Sequence, residues 1–357
     1  MTKNGSRIGV CIRNAAIGAV SPVFLAVTLP AAGHAQPATA SFYTGKTISL
    51  VVGYKPGGGY DQSARILARH FAEHIPGKPA MIVRNMPGAG TVVAANYVNN
   101  TAPKDGTVIG LYADLLTIAP LLQTKGVKFD PREFGWLGSM ASRGTPVVVV
   151  RRDGPAQTYE QATQKEVLIG ASGPDATSAY ALLINETLGT KFKVLMGYTG
   201  GTSEIDLAIE RGEVHGRASG DWYTIKQHKK PWLEKKLVTV MMQLSLKPNP
   251  DLKGVPLAID LAKTDADKQL MELVFGTAQY FRAFSVAKGV PADRLAALRK
   301  AFDDTAKDPA FVKDWSVQFA AGVDYSSYKD IEGFLNRVYS FPPSVAARAR
   351  KFLGGKK

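Results

Sequence analysis

Cysteine is almost absent from this sequence, and its scarcity excludes two kinds of stabilisation. The 357-residue chain contains one cysteine, Cys11. A single thiol forms no intramolecular disulfide and no metal site built from several thiolates. The folded protein must therefore depend on a large apolar core, and a chain of this length is long enough to build one.

Histidine and acidic residues are also scarce. The chain has five histidines, and 30 acidic residues stand against 44 basic ones, a formal net charge of +14. His70 and His74 are four residues apart, but no glutamate adjoins the first as in a zinc protease helix, so we expect exposed histidines and no metal site. Basic runs such as 226–230 contain few aromatic residues, which favours solvated helix faces and no nucleic-acid partner. The positive field favours encounters with anions.

Long hydrophobic runs are missing except near the N-terminus. Three basic residues precede an apolar stretch over 15–30, and small residues follow at 33–35. This pattern predicts a secretory signal peptide over residues 1–35, cleaved before Gln36. The alternative is a membrane anchor, but the stretch is shorter than the roughly 20 residues that span a bilayer and is interrupted by Ser21 and Pro22. We expect the remaining chain to be exported.

The rest of the chain alternates between strand-like and helix-like segments. Short β-branched runs such as 46–53, 80–84 and 107–111 are separated by glycine-containing loops and segments of helical periodicity. A second series of the same kind begins near residue 146, and the part from 291 to 352 is mostly helical in pattern. This alternation predicts an α/β fold with largely parallel sheets.

Four loops are predicted to follow a strand and precede a helix, and each is rich in glycine, serine or threonine. They are 56–61, 87–90, 172–178 and 199–203. Glycine lets backbone N–H groups approach a ligand closely, and a helix N-terminus adds partial positive charge, so such loops bind carboxylate or phosphate. One such loop is an ordinary turn of an α/β protein. Four at equivalent positions favour a binding site.

Some side chains near these loops have two interpretations. Asp61 is predicted to cap a helix that begins near Gln62, or else to orient water or a ligand hydroxyl. The same alternatives hold for Asp175 and Asp221. Tyr54 lies at a strand end, where an aromatic ring belongs to the core or packs on a ligand.

No catalytic motif is recognisable. The consecutive glycines 57–59 match neither a Walker loop, since no Gly-Lys-Ser/Thr follows, nor the spaced glycines of a dinucleotide site. Gly170-Ala-Ser172-Gly173 lacks the spacing of a hydrolase nucleophile elbow. We expect no catalytic residue and no cofactor. The alternative is a secreted α/β hydrolase whose triad is scattered along the sequence.

Several of these motifs resemble one protein family. The segment 48–61, which ends Gly-Tyr-Lys-Pro-Gly-Gly-Gly-Tyr-Asp, is similar to the first strand and loop of the Bug family, the TctC-like periplasmic receptors of tripartite tricarboxylate transporters. Residues 83–90 (Val-Arg-Asn-Met-Pro-Gly-Ala-Gly) resemble that family's Val-Glu-Asn-x-Pro-Gly-Ala-Gly, and 102–107 its Ala-x-Pro-Asp-Gly-Tyr turn. Residues 198–201 and 212–214 resemble its second-lobe Tyr-x-Gly and Gly-x-Val.

The resemblance implies a two-lobed, type II-like periplasmic binding protein, with two Rossmann-like lobes joined by crossing segments around a ligand cleft. Lobe 1 would comprise 36–146 and about 280–357, and lobe 2 would comprise 147–279. It implies a periplasmic, monomeric receptor that closes on a small carboxylate and passes it to membrane permease subunits. The residues expected at the ligand are Tyr54, Gly57, Gly58, Gly59, Asp61, Pro87, Gly88, Ala89, Gly90, Ser172, Asp175, Thr177, Ser178, Thr199, Gly200, Gly201 and Asp221.

The sequence departs from the family pattern at three places. Arg84 replaces a glutamate, Tyr180 lies near where many members have a histidine, and His215 stands where an aspartate is common. These changes leave the ligand open among dicarboxylates, tricarboxylates, amino acids, aromatic acids and neutral compounds. A ligand-sensing partner of a membrane kinase is a further alternative with the same fold.

Overall fold

The computed structural model describes residues 38–142, 144–173, 176–198, 202–319 and 322–353. The predicted signal peptide over 1–35 and Cys11 lie outside these residues. None of the helices within the described ranges is long and apolar enough to cross a membrane.

The first sheet has six strands in the order β11-β4-β10-β3-β1-β2. Their bounds are β1 Thr47–Val52, β2 Ala80–Asn85, β3 Val108–Leu111, β4 Gly135–Ser139, β10 Ala283–Val286 and β11 Ser326–Ser327. β1 pairs in parallel with β2 and with β3, whereas β10 runs antiparallel to β3 and β4. The carboxyl ends of β1 and β2 therefore lie side by side at one edge of this sheet.

The second sheet has five strands in the order β7-β6-β8-β5-β9. Their bounds are β5 Pro146–Arg151, β6 Val167–Ala171, β7 Phe192–Met196, β8 Gly216–Asp221 and β9 Val238–Gln243. β6 is parallel to β7 and β8, and β5 is antiparallel to β8 and β9. The α/β class is confirmed, but both sheets are mixed, because β10 in the first and β5 in the second reverse direction.

The helices cover both sheets. Their bounds are α1 Ala38–Tyr43, α2 Gly59–His74, α3 Val92–Asn96, α4 Tyr159–Gln164, α5 Ala176–Leu188, α6 Thr202–Arg211, α7 Trp222–His228, α8 Lys230–Glu234, α9 Asp265–Phe275, α10 Ala292–Lys307, α11 Pro309–Phe319, α12 Tyr328–Tyr339 and α13 Pro343–Leu353. A π-helical turn, Tyr97–Thr101, continues α3. Short 3₁₀ turns include Ala89–Thr91 and Gly276–Tyr280.

Three groups of buried side chains hold these layers together. One lies between the first sheet and helices α2, α10 and α11, with Leu50, Phe71 and Phe302 inaccessible to solvent. Another covers the second sheet and includes Ile205 and Trp232. The largest contains residues of both sheets, so the two sheets share part of their core.

The C-terminal helix α13 forms ion pairs with helices α5 and α9. Arg348 of α13 forms ion pairs with Glu186 of α5 at 3.2 Å and with Asp267 of α9 at 2.7 Å. Helix α5 packs on β8 of the second sheet. The last helix therefore contacts helices on the second sheet's side, although the chain reaches it from strands of the first sheet.

The two spaced histidines are not exposed residues, contrary to the expectation from the sequence. Nε2 of His70 lies 3.0 Å from Asp314, and Nε2 of His74 lies 3.1 Å from Asp308. Their side chains are 16% and 25% exposed. The periodicity of α2 placed both on one face, but no local pattern indicated that Asp308, at the end of α10, and Asp314, in α11, would pack against that face.

Candidate functional site: a cleft between two sheets

The first two predicted loops form one concave surface. The loop after β1 and the loop after β2 line a cavity of about 500 Å³, because their strands are adjacent and parallel. The lining residues include Tyr54, Gly58, Gly59, Pro87, Gly88, Ala89 and Gly90. Gly57 belongs to the same loop and is exposed. Gly88 has φ of 148°, and a side chain there would meet Val93. The structure thus brings these predicted residues together at one edge of the sheet.

Asp61 does not cap the helix. Helix α2 begins at Gly59, three residues earlier than expected, and Asp61 lies in its first turn, 2% exposed. Its carboxylate accepts hydrogen bonds from the Gly57 amide, the Arg65 guanidinium and the Asn85 amide, each at 2.9 Å. Because Asn85 ends β2, this carboxylate ties the two loops together. Asp61 holds the two loops in position and is not among the residues that line the cavity.

The same contacts make Asp61 a source of acid sensitivity. Burial alone would raise the pKa of Asp61, but the hydrogen bonds from Arg65, Gly57 and Asn85 outweigh it and hold the pKa below its usual value. A carboxyl with a lowered folded-state pKa stabilises the fold above the unfolded-state pKa, and this contribution is lost as the pH falls through the folded pKa. We expect the free energy of unfolding to fall below about pH 4, and to fall less steeply in Asp61→Asn. Chemical denaturation at a series of pH values measures this, and equal slopes would contradict it.

The hydroxyls of Ser172 and Thr177 stabilise the predicted loop after β6. The Ser172 amide donates to Oγ1 of Thr177 at 2.9 Å, and the two hydroxyls lie 3.0 Å apart. Thr177, in the first turn of α5, lines the larger cavity described next, whereas Ser178 is completely buried. Four other predicted residues, Asp175, Thr199, Gly200 and Gly201, lie outside the described residues.

A larger cavity, of about 920 Å³, is lined from both sheets. On the side of the first sheet it is bounded by Phe281, Arg282, Trp315 and Phe319. On the side of the second sheet its wall includes Thr177, Tyr180, Thr202, Ser203, Asp206, Arg217, Ser219, Gly220, Asp221, Tyr223 and Thr224. We call this space the cleft. A volume of this order is typical of small-molecule sites.

Asp221 has the capping role that the sequence left open. It is the N-cap of α7 and accepts the Thr224 amide at 3.1 Å, while its other oxygen accepts the Thr145 amide at 2.8 Å. Burial raises the pKa of Asp221 despite these hydrogen bonds. Its carboxylate lines the cleft but is already engaged by backbone donors.

Sequence reasoning missed a buried ion pair in the cleft wall. Nε of Arg217 lies 2.6 Å from Oδ1 of Asp206, and the two side chains are 2% and 8% exposed. A further hydrogen bond joins the Arg217 guanidinium to the Ser219 carbonyl, and Lys229 Nζ lies 3.7 Å from Asp206. Burial lowers the pKa of Arg217, and Asp206 opposes that effect. The available signal was an arginine near the start of strand β8, within a predicted strand segment.

Arg282 was also missed. It follows the 3₁₀ turn Gly276–Tyr280 and precedes β10, far along the chain from the four loops. Its guanidinium carbon lies 3.9 Å from the ring centroid of Phe319 and 4.8 Å from that of Phe281. It lines the cleft, and it adds a cationic side chain that the loop pattern did not predict.

Similarity to known proteins agrees with this geometry. The family model described as the tripartite tricarboxylate transporter family receptor, TctC, matches residues 63–215. The matched segment is less than half of the chain. Over this segment the chain is similar to that family. It is 31% identical over 157 residues to the UPF0065 protein in the gbd 5' region of Cupriavidus necator. It is 34% identical over 91 residues to protein BugT of Bordetella pertussis strain Tohama I.

These alignments are partial. They cover 44% and 26% of this chain, and they span 42% and 26% of the two relatives, less than half of the length of either. Among solved structures, a TctC solute binding protein from Polaromonas is similar with a TM-score of 0.67 at 19% identity, over 86% of this chain and 99% of that one. R. palustris Rpa4515 with adipate has a TM-score of 0.55 at 18% identity, over 85% and 97% of the chains.

The likeness to these solved structures establishes the fold of this protein. It has the two-domain α/β fold of periplasmic binding proteins, which confirms the fold that the motif resemblance implied. The family model is described as a transporter family receptor, and the Polaromonas protein as a TctC solute binding protein. Of the family departures, Tyr180 lines the cleft, whereas His215 accepts the Leu168 amide at 3.0 Å within the second sheet.

Proposed function

We propose that this protein is an extracytoplasmic receptor that captures a small carboxylate in the cleft and delivers it to the membrane permease of a tripartite tricarboxylate transporter. The observation that carries the proposal is a cleft of about 920 Å³ lined from both sheets. A solute there contacts both halves of the molecule at once.

The loops supply the chemistry that a carboxylate needs. Loop 56–61 ends in the first turn of the sixteen-residue helix α2, whose N-cap, Gly58, has no side-chain cap. The N–H groups of such a turn, with the helix dipole behind them, stabilise negative charge. The proposed ligand contacts are the loop residues named from the sequence, including Thr199, Gly200, Gly201 and Asp175. Adipate in Rpa4515 supports a carboxylate as the class of ligand.

The proposed capture mechanism is closure of two lobes, comprising 36–146 with about 280–357, and 147–279. A ligand that contacts both lobes binds the closed conformation better and shifts the population toward it. Delivery to a permease requires export, so we also propose that residues 1–35 direct the chain to the periplasm and that the receptor is monomeric there.

Thermal unfolding with a panel of carboxylates and their amides tests the proposal. A carboxylate that binds the folded state should add about 2.7 kcal/mol to its stability at a hundredfold excess over the dissociation constant, and the amide should add none. The panel includes benzoate, adipate and citrate. Stabilisation by amides alone, or hydrolysis of an ester, would overturn the carboxylate receptor.

A further inference from the structure

Arg282 occupies the point where the two cavities approach each other. It lines the cleft, and its Nη2 lies 2.9 Å from the position that a Cβ at Gly59 would take. Gly59 is the first residue of α2 and lines the smaller cavity. The neighbouring Phe281 contacts Tyr60 edge to face at 5.1 Å. The guanidinium therefore lies between the first-lobe loop surface and the cleft.

Aromatic rings fix the orientation of this guanidinium. Its carbon lies 3.9 Å from the ring centroid of Phe319, 4.8 Å from that of Phe281 and 5.6 Å from that of Trp315. All three rings line the cleft or support its wall. The N–H donors of an arginine lie in the guanidinium plane, so rings stacked on its faces leave the donor edges as its polar surface.

The backbone at Arg282 is strained. Its φ is 66°, in the left-handed region that is uncommon for residues other than glycine, asparagine and aspartate. Such conformations cost free energy and persist where the surrounding structure enforces them, often at binding sites. The strained backbone directs an arginine into the cleft.

The carboxylates that line the same cleft are engaged elsewhere. Asp206 pairs with Arg217, Asp221 accepts the Thr145 and Thr224 amides, and Asp324 accepts the Ser142 hydroxyl. These carboxylates therefore have partners within the cleft walls, and Arg282 lines the opposite wall beside the first residue of α2.

We propose that Arg282 binds the anionic group of the ligand directly and sets the receptor's preference for anions over neutral analogues of the same shape. This rests on the proposed function and deepens it, because capture by backbone donors and hydroxyls alone would need no cationic side chain. A charge-assisted hydrogen bond accounts for about a ten- to hundredfold difference in affinity.

The test is the ratio of affinities for benzoate, adipate or citrate and for the corresponding amide, measured by calorimetric titration within each variant. Arg282→Asn removes the charge with the non-glycine residue best suited to positive φ, and Arg282→Lys retains the charge. Gly59→Ala should fold normally and displace the end of the Arg282 side chain. Arg294→Gln is the matched control, since Arg294 also stacks on a ring, Phe42 at 3.5 Å, away from the cleft.

We expect the preference for the carboxylate over the amide to fall ten- to hundredfold in Arg282→Asn and to fall partly in Gly59→Ala. The preference should be largely kept in Arg282→Lys and fully kept in Arg294→Gln. Because the ratio compares two ligands on one variant, a partly unfolded population does not change it. An unchanged ratio in Arg282→Asn would overturn the role of Arg282 and leave the carboxylate receptor standing. No binding of any carboxylate by the unsubstituted protein would overturn the proposed function, and this inference with it.

Discussion

Replacing Asp206 by alanine is expected to lower the free energy of unfolding by about 3–5 kcal/mol, because it leaves the Arg217 charge buried without its carboxylate. The Arg217 side chain is 2% exposed and lies 2.6 Å from Asp206. Equilibrium unfolding in urea measures the change. The double variant Asp206→Leu with Arg217→Met should recover most of the loss, since apolar side chains of similar volume replace a buried pair at little cost.

The control for this prediction is an ion pair at the end of β5 whose carboxylate is exposed. Asp153, 69% exposed, pairs with Arg151 at 2.6 Å. We expect little change in the unfolding midpoint of Asp153→Ala, since Arg151 is partly exposed to water and keeps its hydrogen bond to the Ile209 carbonyl. A similar small effect at Asp206 would show that the Arg217–Asp206 pair does not support the cleft wall.

Filling the cleft at Thr177 is expected to abolish solute binding. Thr177 lines the cleft from the first turn of α5, so a tryptophan there occupies ligand space and holds the two walls apart. We expect the affinity of Thr177→Trp to fall by at least about a hundredfold, which corresponds to the loss of roughly 2.7 kcal/mol of binding free energy. Calorimetric titration with the carboxylate identified by the thermal panel measures this loss.

Two controls separate blocked space from general damage. Thr177→Ser keeps the hydroxyl that accepts the Ser172 amide and should bind within a few-fold of the unsubstituted protein. Val317→Trp adds the same bulk on α11 at a position 79% exposed, and should leave affinity unchanged. Full binding by Thr177→Trp would place the solute outside this cleft.

The sequence predicted those parts of the structure that local patterns determine. The β-branched run of β1 is buried on both faces of the first sheet, and the loop after it follows the strand's carboxyl end as expected. Strand β4 was missed, since Gly135-Trp-Leu-Gly-Ser139 has two glycines and no β-branched residue, and it is a strand because it pairs with β10 and β11. Its pairing depends on residues nearly 150 positions away.

The candidate site could likewise be predicted only where local sequence patterns determine it. Glycine loops identified the surface after β1 and β2, because adjacent parallel strands bring their carboxyl ends together. Arg282 was not identifiable, since its approach to Gly59 depends on the return of the chain to the first sheet. The capping alternative for Asp61 was wrong because α2 begins at Gly59. The carboxylate instead accepts the side-chain amide of Asn85, in another strand.

The central claim, that a small carboxylate binds in the cleft, is tested most directly by calorimetric titration of the purified protein with carboxylates chosen from the thermal panel. We predict saturable binding of one carboxylate per chain, no binding of its amide, and loss of that binding in Thr177→Trp. Binding that is equal for acid and amide, or that persists in Thr177→Trp, would contradict the account.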